Sequence, residues 1–186
     1  MRLWILCLLI IIHLHACVAH SYTAEGGIRV QNSKVFKYNK ERHRSRDKSP
    51  IDTEVIYRLD SSYDKYQAVK GIKNKPGAYM RFFSTGQVLF FYDTSQTIQV
   101  LNNRKTGRQG YYFIKGDRIK IDRFELINGG QTGKYYGRIL DDGSLLFYEQ
   151  RPGAVFGSFS ALERDGRMSF WKKLTVPAME RYTPDW

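Results

Sequence analysis

The sequence predicts an all-β fold: an antiparallel meander of about eight to nine strands forming a lipocalin-like barrel, with a two-sheet β-sandwich as the alternative. Three observations carry this expectation. The chain holds 13 Tyr and 11 Phe among 186 residues, and aromatic side chains favour the pleated, half-buried surface of a strand. Apolar runs recur on either side of Gly-containing turn signals, the pattern of a β-hairpin. The turn glycines stand at regular intervals, at positions 86, 116, 143 and 166. Strands in such number leave two open edges unless the sheet coils or closes, so closure is expected.

In chain order, residues 1–16 read as a signal peptide. Met1-Arg2 precedes ten apolar residues from Leu3 to Ile12. As a helix these would span only about 15 Å of a hydrocarbon core of roughly 30 Å, too short to cross it. Leu14-His15-Ala16-Cys17 resembles the lipobox of bacterial lipoproteins, which implies cleavage before Cys17 and a lipid anchor on that residue. The alternative is secretory cleavage after Ala19, giving a secreted or periplasmic soluble protein. Residues 17–50 read as the lipidated cysteine and a flexible basic linker. No period of 2 or 3.6 persists there, and Ile28 to Pro50 carries eight Lys or Arg against two acids.

Residues 51–186 read as one all-β domain, long enough for a single core. Glu54 to Leu59 makes a plausible first strand. Ala78 to Phe91 then aligns without gaps on Tyr135 to Tyr148, matching Tyr79 with Tyr136, Arg81 with Arg138, Gly86 with Gly143 and Phe90 with Phe147. Tyr111 to Ile121, turning at Lys115-Gly116-Asp117, and Phe159 to Trp171, turning at Arg164-Asp165-Gly166, share the outline. Three-residue loops with Gly as a bulge would put Phe82, Val88, Phe90, Ile139, Leu145, Phe147, Leu162, Met168 and Phe170 in one apolar layer. A two-residue loop would instead bury Arg81, Arg138 and Glu163, which unpaired charge forbids. The second face then carries Tyr79, Arg81, Phe83, Leu89 and Phe91 with Tyr136, Arg138, Leu140, Leu146 and Tyr148. Too apolar to stay bare, it is either covered by the N-terminal strand segment of the domain or the tail from Val176 to Trp186, or it contacts a partner through Tyr79, Arg81, Tyr136 and Arg138.

The four His stand at 13, 15, 20 and 43 and the two Cys at 7 and 17, all ahead of this domain. That removes Ser-His and Cys-His catalysis and imidazole or thiolate metal sites from residues 51–186. Its acids mostly mark turns, as at Asp117, Asp141, Asp142 and Asp165. Asp141-Asp142-Gly143-Ser144 lacks the further carboxylates of a calcium loop, and Gly129 to Gly133 lacks the Lys-Ser/Thr of a phosphate loop. No cofactor, metal or catalytic residue is expected. The net charge of +12 would point to nucleic acid in a cytosolic chain. In an exported one the partners to expect are anionic lipid, an acidic glycan or an envelope protein, and not nucleic acid.

Ile51-Asp52-Thr53 before a short strand, Gly110-Tyr111-Tyr112-Phe113-Ile114-Lys115, and Val176-Pro177 with Pro184-Asp185-Trp186 are similar to small uncharacterised lipoproteins of the Bacteroidota. The resemblance covers Ile51 to Trp186 plus the lipobox. It implies an envelope location and brings no activity with it; the lipid-anchored protein is expected at the outer membrane. The expected function is therefore a non-enzymatic binding or interaction module. A lipocalin-like carrier of a small apolar or anionic ligand is the alternative, and a carboxylate-dependent envelope enzyme comes last.

Overall fold

Tight turns decide which side chains face inward. The computed structural model of the chain describes residues 18–39, 50–63, 72–73, 77–92, 97–149, 159–165, 167–184 and 186. Ser84-Thr85-Gly86 links β5 (Ala78–Phe82) to β6 (Gln87–Tyr92). The Gly86 N–H donates to the Phe83 carbonyl at 3.0 Å, and the Phe83 N–H to the Gln87 carbonyl at 2.9 Å. Asp141-Asp142-Gly143 makes the same turn between β9 (Gln131–Ile139) and β10 (Leu145–Glu149). Gly86 and Gly143 have φ of +83° and +75°, the left-handed position that a three-residue hairpin loop gives to glycine. Between β7 (Arg108–Lys115) and β8 (Arg118–Glu125) the turn has only two residues, Gly116-Asp117.

These hairpins, with β3 (Ile56–Tyr63) and β11 (Arg167–Leu174), form a closed eight-stranded antiparallel barrel in the order β3, β5, β6, β7, β8, β9, β10, β11. The ring shuts where β11 pairs with β3 from Met168–Tyr63 to Leu174–Ile56. The two-residue β4 (Ile72–Lys73) pairs with β3 outside the ring.

Side chains directly opposite across an antiparallel pair share a face, and from the turns inward the expected layer holds. Phe82, Val88, Phe90, Leu145 and Phe147 fill the lumen with Tyr57, Met80, Tyr112, Ile119, Ile121 and Trp171, and Ile139 packs against them. The last hairpin differs from expectation. Phe159–Asp165 is a helix, since Phe-Ser-Ala-Leu-Glu-Arg-Asp is rich in good helix formers, and β3 supplies the eighth strand. Leu162 is buried on that helix. β11 takes its register from β10, with Leu145 opposite Trp171 and Phe147 opposite Ser169, so Trp171 and Ser169 face inward and Met168 and Phe170 do not. Gly166 lies outside the described residues.

The basic linker is also corrected. β1 (His20–Tyr22) pairs with β2 (Ile28–Val30), and β2 joins β7 in parallel. Two 3-10 turns follow, Ser33–Val35 and Lys37–Asn39. Ile28, Val30, Phe36 and Tyr38 are buried against Tyr111 and Phe124 on the outside of the barrel. Residues 1–17 and 40–49 lie outside the described residues, and with them the signal peptide and Cys17.

Candidate functional site

Tyr79 and Arg81 project from the outer face of β5, Tyr136 and Arg138 from that of β9. Four strand steps separate β5 from β9 in either direction round the ring, so the two pairs stand on opposite walls and do not converge.

The β5 wall is covered. Phe83, Leu89 and Phe91 form a second core with Ile56, Leu101 of the helix Ile98–Asn102, and Val176, packed by Tyr79, Met179 and Tyr182. Arg81 is 2% exposed. Its guanidinium donates to the Leu101 carbonyl at 3.0 Å and to the Glu180 carbonyl, and lies 4.4 Å over the Tyr182 ring. Burial lowers its pKa, against the pull of Tyr182 and Glu180. Arg81 thus fastens the tail and is closed to a partner.

The β9 wall is only partly covered: Lys134 is exposed, Tyr136 and Arg138 half-buried. Arg118 stands opposite Arg138, Lys120 opposite Tyr136, and Asp122 opposite Lys134. Like charges facing each other across a pair are destabilising, and the helix Phe159–Asp165 relieves this pair. Arg138 donates from Nε to Glu163 at 2.5 Å and from a terminal nitrogen to Asp117; these bonds raise its pKa, the one to Glu163 most. Both guanidinium groups lie near the Phe159 ring, at 4.8 Å for Arg118 and 5.8 Å for Arg138. Tyr136 and Tyr148 meet the same ring edge-on. The Lys120 ammonium is 5.9 Å over Tyr136. Among the described residues, no carboxylate comes within 4.0 Å of Arg118, Lys120 or Lys134. The wall carries cations and aromatic rings, with Asp117, Asp122 and Glu163 among them. Arg118, Lys120 and Lys134 escaped the sequence reading, although alternate cations on two adjacent strands mark one face; Phe159 and Glu163 were hidden by the strand assignment of their helix.

Among the described residues, a charged site lies in the lumen near its end opposite the tight turns. Arg123 extends inward from β8 and pairs with Glu125 at 2.6 Å. Its guanidinium lies 3.9 Å over Tyr135, whose hydroxyl donates to the same Glu125 oxygen at 2.7 Å. Burial depresses the Arg123 pKa to about 10, against the pull of Glu125 and Glu149. The residual cavity beside it, lined by Phe90, Arg123, Glu149, Ser169 and Trp171 among others, measures about 10 Å³, space for one water.

One histidine belongs to the folded part after all. His20 on β1 packs on Phe124 at 4.9 Å, with Nδ1 3.0 Å from the Val18 carbonyl. Among the described residues no three His, Cys, Asp or Glu side chains converge as metal ligands. Compared with known proteins, the chain matches no family model, no curated protein and no solved structure, so what the site does is argued from its own residues.

Proposed function

We propose that this protein is a lipid-anchored, non-enzymatic binding module of the cell envelope, and that the outer wall of β8 and β9 binds an acidic glycan. The observation that carries the reading is the set of cations on that wall beside Tyr136 on a closed barrel: Arg118 and Lys120, with no carboxylate within 4.0 Å among the described residues, and Lys134, opposite Asp122. Ion-pairing would neutralise such a surface. Cations without a close carboxylate attract a polyanion. The aromatic packing of the lumen among the described residues supports binding on the wall in preference to carriage inside.

The N-terminal contacts support the anchor. The Val18 N–H donates to the Gly130 carbonyl at 2.9 Å, Val18 packs against the Ile28–Phe124 cluster, and His20 pairs with Val30. Cleavage before Cys17 preserves all three contacts, whereas cleavage after Ala19 removes the two made by Val18.

The test is binding of a sulfated or uronic-acid polysaccharide across a salt series. The double variant Lys120→Glu, Lys134→Glu should stay folded, lose about tenfold or more in affinity, and show a weaker salt dependence, because both charges act through screened long-range attraction. Unchanged affinity in a folded double variant would refute the assignment.

A further inference from the structure

The two ends of the barrel differ in kind. One carries the tight turns at 84–86, 116–117 and 141–143. The other receives the connections from β3 to β5, β6 to β7, β8 to β9 and β10 to β11. Of the six large apolar side chains that stand exposed among the described residues, five lie at this second end: Tyr22 (64% exposed), Ile127 (50%), Tyr92 (45%), Tyr63 (44%) and Leu126 (40%). Register places them there. Tyr92 pairs with Ala78 at the start of β5, Tyr63 with Met168 near the start of β11, and Leu126 and Ile127 directly follow β8. Tyr22 sits opposite Ile28, which pairs with Arg108 at the start of β7. Tyr22, Tyr92 and Leu126 line one groove with Arg108.

The described chain also begins at this end. Val18 is hydrogen-bonded to Gly130, in the connection that holds Leu126 and Ile127. Cys17 immediately precedes it in sequence, so an anchor on Cys17 would lie one residue from the contact with Gly130. A lipidated Cys17 would bring its acyl chains close to this end of the barrel.

We infer that this rim is seated on the lipid bilayer, with Leu126 and Ile127 dipping into the acyl boundary and Tyr22, Tyr63 and Tyr92 at head-group level. This rests on the envelope location proposed above and adds an orientation to it. Tyrosine, with an apolar ring and a polar tip, suits the interface between hydrocarbon and water. Branched aliphatic side chains bared around an anchoring point gain by leaving water, and one anchor reinforced by several such contacts holds better than acyl chains alone. The barrel would then stand upright, its tight turns farthest from the membrane and its basic wall facing sideways.

The experiment uses the full chain bound to vesicles of phosphatidylethanolamine and phosphatidylglycerol, with a benzophenone amino acid placed singly at Ile127, Tyr22, Asp117 or Asp141. Irradiation should give lipid adducts at Ile127 and Tyr22, and at least about tenfold fewer at Asp117 and Asp141. Similar yields at both ends, adducts confined to the turn end, or none at either end would each overturn the orientation. Running the same positions in the Lys120→Glu, Lys134→Glu background separates the two proposals. Adducts at Ile127 that persist while glycan binding fails would leave the orientation standing and remove only the role of the wall.

Discussion

Replacing Arg81 with alanine is expected to cost about 2–4 kcal/mol, because it strips the donor from two carbonyls, Leu101 and Glu180, that the tail and helix bury around it. Arg138→Ala, at the equivalent hairpin position, should cost less than about 1 kcal/mol, since its carboxylate partners are partly solvated and the change also relieves Arg118. Urea unfolding of the two variants checks the contrast. Asp122 gives a pH prediction. Its carboxylate, 1% exposed, accepts from the backbone N–H of Lys37 at 2.6 Å and of Tyr38 at 3.3 Å. Burial raises its pKa above the usual 3.8, and those bonds oppose the rise. The folded state thus holds a proton that the unfolded chain releases, and the contribution of Asp122 to stability falls as pH rises from 3.8 through the folded value. Asp122→Asn should show a flatter stability profile over that window, and parallel profiles would refute the claim. That both arginines lie on the outer face was legible in the sequence, because period 2 and the turn length settle it. What covers each was not: the partners of Arg81 lie 20 and 99 residues away, and no local pattern encodes such a contact.

At the scale of elements, the tail and the N-terminal segment both act as cladding on a barrel that would otherwise expose its outer aromatics. Deleting Val176 to Trp186 should lower the melting temperature markedly, since Phe83, Leu89 and Phe91 lose their cover along with the Arg81 anchor. Deleting residues 20–39 should do the same through Tyr111 and Phe124, and a melting temperature unchanged by either deletion would contradict the packing described. The cover by the tail was one of two outcomes the sequence left open. The cover by residues 20–39 was not visible in it, because strands of three residues are too short to display a period and their stability comes from β7, a non-local partner. The Phe159–Asp165 helix was misread for a related reason: a short apolar segment fits period 2 and period 3.6 about equally well.

For the whole molecule, closure makes the lumen one cooperative core, so truncating it anywhere should be felt throughout. Phe90→Ala and Phe147→Ala should each cost about 3–5 kcal/mol, read as a shift of a single unfolding transition; two separate transitions would speak against one core. Cys17→Ser should abolish incorporation of labelled fatty acid and leave the precursor uncleaved, whereas normal processing would make ordinary secretion the correct reading. Barrel closure was legible from strand number and turn spacing, but which strands meet at the seam was not, since β3 and β11 are more than one hundred residues apart. That seam also governs when the protein can fold. Until β11 has been synthesised, β3 and β10 are both unpaired edges, and the ring has no way to shut. A chain made in order from its N-terminus therefore stays an open sheet until its last strand arrives.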